Sequence, residues 1–415
     1  MKTAKELPPQ GIIWGVWIIV FAIQCTDFKI SIIKISEIFF LIYAIFKIRK
    51  IHKTTYFFLL YFTIFLLITF IHNIFLNFDY TVATNFLKRP YWGSIGRFLE
   101  IISCLSFIEY IRSIIKKYGL NYTIDKTLQA NHYFLIFILI FYIIEQLGLS
   151  ILNLSYSNAR LRGFYVEGGP FGLMCATFTL LSIYRKRPKI ETIVLLLCTI
   201  LSQSKAGIAC ICAYAAINTI LKIYSKKKYR KYLFIACIII IPIFIYTFMY
   251  IADMYISAIK NTDLLEHYVN TNPNDYSSTA GRIPATFILY EMFCKHPIIG
   301  IGLGNYPILR NLDEYRSFFP EIPIYDATGY GGFIDILNQF GLIGITIWII
   351  FLIKLLKKGA TKIYIILFCL PLIFGVQYTF LYPWFMIAIN IQTNQIKKIC
   401  TSPSTAACGE KSLEE

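Results

Sequence analysis

The side chains best placed for chemistry are cations set beside glycine. Arg160 and Arg162 stand in R-L-R-G-F-Y-V-E-G-G-P-F-G, residues 160–172. Gly163, Gly168, Gly169 and Pro170 predict a turn that leads into a helix. A glycine-rich helix start presents backbone N–H groups at its positive end, which suits an anion. A guanidinium beside it can take two phosphate oxygens at once. The competing reading is that both arginines are solvated or pair with lipid headgroups, a common use of interfacial arginine. Lys205, in S-Q-S-K-A-G between two apolar stretches, is either a loop charge or a substrate-facing cation. Arg282 precedes I-P-A-T-F-I-L-Y-E-M-F-C-K, which reads as a short helix with Pro284 in its first turn.

Three residues have the chemistry of a general base. Glu167 and Asp326 each stand beside a helix start, and His296 has an intrinsic pKa near neutrality. Taken singly, each is more often a surface carboxylate or a helix-terminal histidine than a catalyst. After His296-Pro297 comes I-I-G-I-G-L-G-N-Y-P, whose alternating glycines allow close backbone approach to a partner or ligand. No strand–helix unit surrounds them, so a dinucleotide-binding reading fails. Asp335, Asn338 and Gln339 are spaced to share one helical face, looking into a cavity or hydrogen-bonding within a bundle. Tyr156, Phe164, Tyr165, Tyr306 and Tyr330 could stack on sugar faces, although aromatics in this chain more often pack. The 11 cysteines lie mostly in apolar stretches, and no D-x-D stands in the loops beside these residues. No disulfide framework, metal site or cofactor is therefore expected, and activity should need no divalent cation.

The elements that must position these residues are apolar. The chain has 415 residues, 57% hydrophobic and 15% charged, with a mean hydropathy of +0.61. A soluble domain is nearer ~25% charged. Disorder is excluded, and a soluble globule is the poorer reading. Apolar stretches long enough to cross a membrane, or close to it, lie at about 11–26, 30–47, 55–76, 95–116, 132–149, 169–184, 190–203, 206–223, 232–252, 331–356, 361–377 and 379–392. The expected fold is an all-α polytopic integral membrane protein of about twelve transmembrane helices, a single membrane domain over 1–415. The pair at 190–203 and 206–223 could be one bent helix, and 361–377 with 379–392 makes a tight hairpin carrying Pro371 and Pro383.

The net charge of +17 would suggest nucleic acid on a soluble protein. Here most of the 40 Lys and Arg fall on alternate connections: 47–53, 116–126, 185–189, 222–231, 354–362 and the tail 397–415. The positive-inside rule puts those connections and both termini in the cytoplasm, so the charge orients the protein and binds no nucleic acid. No small-x-small site follows the first apolar stretch, so it is expected to stay as an anchor. The loops at 150–168 and 253–330 then lie outside and form the candidate active face, the second being the larger.

Four pieces in this order carry a family resemblance: R-x-R-G-F-x-x-E before a span, S-x-S-K-A-G after one, R-x(14)-P-x-x-G-x-G-x-G in the long loop, and F-I-D-I-L-N-Q-F-G-L-I-G at the next helix. Over roughly residues 150–350 the chain resembles the bacterial O-antigen polymerases (Wzy proteins), within a superfamily shared with the O-antigen ligases. The resemblance implies glycosyl transfer at the outer face of the bacterial inner membrane. The donor would be a glycan on polyprenyl pyrophosphate and the acceptor a hydroxyl of the next lipid-linked repeat unit. The implied partners are an undecaprenyl-pyrophosphate-linked oligosaccharide, the lipid bilayer and a chain-length regulator protein. Arg160, Arg162 and Arg282 become candidates for the pyrophosphate, with Arg310 and Lys205 behind them, and the base falls among Asp326, Glu167 and His296. A ligase should carry His-Asn just before the tenth span and an acid before its Gly-Leu-x-Gly. Tyr330-Gly331 and Gln339 occupy those places, which favours polymerase. A lipid-linked-oligosaccharide flippase should show internal repeats, and none is evident between the halves.

Overall fold

The structure is a computed structural model and describes residues 10–30, 33–47, 51–81, 83, 86–149, 151–156, 159–225, 262–272, 281–322, 329–358 and 361–400. The apolar stretches fold as helices: α1 (Trp14–Gln24), α2 (Ile35–Lys47), α3 (Lys53–His72), α4 (Trp92–Tyr118), α5 (Leu120–Gln146), α6 (Gly168–Tyr184), α7 (Lys189–Leu201) and α8 (Lys205–Ser225). After them come α9 (Thr262–Thr271), α10 (Arg282–Lys295), α11 (Gly332–Lys358), α12 (Lys362–Ile373) and α13 (Leu381–Cys400). Among the described residues α3, α5 and α11 are long and apolar enough to cross a membrane, and α1, α2, α6 and α12 are shorter apolar helices. This is consistent with a polytopic membrane protein.

The expected spans map onto these helices with some differences. The stretches at 190–203 and 206–223 are two helices, α7 and α8, separated by a turn at 202–204. Arg97, Glu100, Glu109 and Arg112 interrupt the apolar sequence of α4 but not its helix, and pair with one another as Arg97–Glu100 and Arg112–Glu109. The last helix continues to Cys400, into the expected tail. The stretch at 232–252 lies outside the described residues.

Two features of the packing place the loops. The first is an aromatic core between α3, α11, α12 and α13. Phe58 lies edge-on to Trp384 at 5.0 Å and tilted against Trp348 at 5.1 Å, and all three are buried. Bilayer tails are as apolar as these rings, so interlocking shape holds the helices together, and each aromatic pair adds about 0.5–1.5 kcal/mol beyond area burial. The second is a crossing of α6 and α8 through glycine. A Cβ on Gly207 would lie 2.8 Å from the Gly172 carbonyl, and one on Gly172 would collide with Ser202 Oγ.

α11 is broken at Gly341, whose φ of 63° and ψ of −168° are not helical. The break leaves orphan carbonyls on one side and orphan N–H groups on the other, which a membrane helix must satisfy within the protein. Segment 297–302 fills it. Ile301 N and Gly302 N donate to Asn338 O and Gln339 O at 2.9 and 3.0 Å, while Leu342 N and Ile343 N donate to Pro297 O and Ile298 O at 2.8 and 3.2 Å.

Candidate active face

The loop after α5 begins as a short antiparallel hairpin, Ser155–Tyr156 against Arg160–Leu161. Side chains of α5 hold it in place. Glu145 accepts hydrogen bonds from Leu154 N at 2.9 Å and Ser155 Oγ at 2.6 Å, and Tyr142 Oη donates to Ala159 O at 2.6 Å. Arg160 then reaches across to the α7–α8 turn, donating from Nε to Ser202 O at 3.2 Å. Ser204 Oγ donates to Gly169 O at 2.9 Å and accepts from Gly207 N at 3.1 Å, tying the first turns of α6 and α8 together. Gly168 permits the contact, since a Cβ there would be 2.9 Å from both Leu161 O and Ser202 O.

These bonds gather three of the candidates. Arg160 is half-buried at the joint. Glu167 is exposed at the N-cap of α6 and makes no capping hydrogen bond. Lys205 is exposed as the first residue of α8. Two helix N-termini and two cations thus share one corner, a chemistry that suits an anion with several oxygens. Arg162 stands apart. Its guanidinium pairs with Asp27 at 3.2 Å and donates to Asn153 O, Tyr165 O and Val166 O, knitting the α1–α2 loop to the hairpin.

The second stretch of candidates follows α10. His296 Nε2 lies 2.8 Å from Tyr315 Oη, and its ring centre is 5.0 Å from that of His72. Burial lowers the His296 pKa, with Lys295 adding to the shift and Glu314 opposing it. Burial, aided by Glu314, raises that of the Tyr315 hydroxyl. At neutral pH the pair is a neutral imidazole beside a phenol. Arg310 is only 2% exposed, with its guanidinium 5.8 Å from the Tyr306 ring centre. Arg282 opens α10, and Asp326 lies outside the described residues. Tyr165 and Tyr306 are buried and Tyr156 is exposed.

The alternating glycines find their close partner inside the protein. A Cβ on Gly300 would collide with Asn338 O, one on Gly302 would be 2.8 Å from Thr69 Cγ2, and one on Gly304 3.0 Å from Arg97 Cγ. Leu303 N donates to Thr69 Oγ1 at 2.9 Å, and Asn305 Nδ2 to Asn73 Oδ1 at 2.6 Å. The shared face of α11 is likewise turned to structure. Asp335 accepts from Tyr330 N and Gly331 N at 3.0 and 2.9 Å, Asn338 Nδ2 donates to Leu289 O at 2.6 Å, and Tyr378 Oη donates to Gln339 Oε1 at 2.8 Å.

Sequence reading missed two buried ion pairs at this end of the bundle, Arg97–Glu100 on α4 and Lys34–Glu37 at the start of α2. The available signal was an opposite-charge pair three residues apart at the edge of each apolar stretch, R-F-L-E and K-I-S-E. Among the described residues no group of three His, Cys, Asp or Glu is placed to hold a metal ion.

A family model described as O-antigen ligase matches residues 192–349. The matched stretch holds Lys205, α10, His296, the glycine segment and the broken helix, and lies downstream of Arg160, Arg162 and Glu167. The match supports the ligase/polymerase superfamily and a function of that type. No curated protein and no solved structure matches the chain.

Proposed function

We propose that this chain is a surface-polysaccharide polymerase of the O-antigen type, working at the outer face of the bacterial inner membrane with about twelve spans and cytoplasmic termini. The donor is a glycan on undecaprenyl pyrophosphate, and the acceptor is a hydroxyl of the next lipid-linked repeat unit. The observation that carries this reading is the corner where Arg160, Lys205 and the N-termini of α6 and α8 meet, adjoining a stretch that resembles the O-antigen ligase family.

The step breaks the bond between the donor's anomeric carbon and the pyrophosphate oxygen. It forms a bond from that carbon to the acceptor oxygen. The acceptor proton passes to a base, and the electron pair leaves on the pyrophosphate. Charge therefore grows on the leaving oxygens, where Arg160 and Lys205 neutralise it. Arginine suits this place because its fork matches two oxygens and it keeps its proton. Removing one such donor costs about 10²–10³ in rate. Glu167, exposed at the same corner, is the first choice of base, ahead of His296 and Asp326. Arg162 and Arg282 remain pyrophosphate candidates of lower rank, Arg310 is set aside because it is buried, and a chain-length regulator is the expected protein partner.

A second reading, transfer of finished glycan to lipid A-core, is favoured by the description of the matching family model. Deletion of the gene separates the two. A polymerase mutant keeps lipopolysaccharide with a single repeat unit, whereas a ligase mutant keeps none. Complementation with Arg160→Ala should then leave single-repeat product only, and a normal ladder would remove Arg160 from the mechanism.

A further inference from the structure

We propose that Arg97 and Glu100, a buried ion pair on α4, are positioning residues for the transfer, holding the glycine segment at a fixed place relative to the Arg160 corner; this rests on the reading above.

The pair is largely shielded from solvent. Arg97 Nη1 lies 2.6 Å from Glu100 Oε2, with side chains 13% and 2% exposed. Its two flanks lead to the two loop regions. On one side the Arg97 stem lies against Gly304, in the segment that α3 and α11 also grip. On the other, Glu100 is within electrostatic reach of the Lys34–Glu37 pair. Lys34 Nζ in turn stands 5.7 Å from the Phe380 ring centre. Phe380 stacks at 5.8 Å and 5° on Tyr165, three residues after Arg162. Segment 300–305 thus meets α4 at Arg97, α4 packs on α2 where Glu37 pairs with Lys34, and Lys34 leads through Phe380 to Tyr165 in the hairpin loop.

Stability is a poor reason to keep such charges. Replacing a buried ion pair by apolar side chains of similar volume is often neutral or favourable, and ionisable groups among membrane helices are by default tied to function. The pair lies within one helix, three residues apart, and its directional geometry holds the Arg97 side chain in one orientation, and with it the stem that α4 sets against Gly304. Transfer between two lipid-linked substrates needs that fixity, because an error of about 1 Å in alignment costs about a hundredfold.

The test is complementation of a deletion strain with the full-length chain carrying Arg97→Met, Arg97→Lys, Glu100→Gln or the exchange Arg97→Glu with Glu100→Arg. The readouts are the ratio of polymerised to single-repeat glycan, the amount of protein in membranes, and the melting temperature in detergent. Arg97→Met and Glu100→Gln should lower that ratio at least tenfold at wild-type protein level and melting temperature. Arg97→Lys should keep at least a third of it, and the exchange should fail, because the cation must lie beside Gly304. A wild-type ladder in Arg97→Met, a loss that follows melting temperature, or full restoration by the exchange would each overturn the positioning role. If deletion itself leaves surface glycan unchanged, the fault lies with the proposed function and not with this pair.

Discussion

The corner around Arg160 and the segment from α10 to the break in α11 both carry arginine, glycine and a candidate base, yet they use them in opposite ways. At the corner, Glu167 and Lys205 are exposed beside two helix N-termini. In the segment, Arg310 is buried, His296 is hydrogen-bonded to Tyr315, and the glycines fit against α3, α4 and α11. The glycines of the corner bring helices together so that their ends open at one place. Those of the segment let a turn-rich stretch mend a broken helix. The same residue types make an exposed corner where two helix starts meet, and a brace where backbone groups close on one another.

The largest effect should come from exchanging the roles of two arginines. Arg160→Ala is expected to lower product by about 10²–10³ while leaving the melting temperature within about a degree. Arg310→Met should do the reverse, lowering the melting temperature and the amount of protein in membranes, with activity per molecule nearly kept. If both variants lose activity at unchanged stability, the buried arginine belongs to the chemistry and the contrast fails. A smaller effect, on folding alone, is expected from Gly341→Ala. A side chain there must adopt a backbone conformation that is essentially glycine's alone, at about 1–3 kcal/mol, and would collide with Ile298 O. The melting temperature should fall by several degrees. No change would mean that segment 297–302 does not fill the break as described.

The sequence made part of this contrast legible. Long apolar stretches marked α3, α5 and α11, and the glycines before α6 marked the turn that carries Arg160. The break at Gly341 could not be read, because one glycine in an apolar run looks like helix interior. What bends the chain there is a set of carbonyls and N–H groups some 40 residues earlier. The partner of Arg162 was hidden for the same reason, since Asp27 is 135 residues away in sequence. The pairs Arg97–Glu100 and Lys34–Glu37 had visible spacing, but that spacing occurs on any helix surface, and only packing shows that these pairs are buried.

The finest test of the braced segment is its response to acid. His296 is half-buried, and its pKa is lowered mainly by burial, within reach of Lys295, Glu314, Tyr315 and His72. An unfolded histidine titrates near ~6.5. The folded chain resists that proton, so the stabilising contribution is whole above about pH 6.5 and is lost as pH falls through that value. The Tyr315 hydroxyl, whose pKa is raised, stays protonated throughout, so a charged imidazole finds no phenolate beside it. Solvent screening keeps the effect small, no more than ~1 kcal/mol or roughly 2 °C. Melting curves at pH 7.5 and 5.5 should therefore show a steeper acid loss for the wild type than for His296→Gln, with the other carboxylates titrating alike in both. Equal slopes would show that His296 is as open to solvent as a surface histidine. The segment would then be a second exposed face, available to a substrate, and its difference from the Arg160 corner would shrink to one of charge alone.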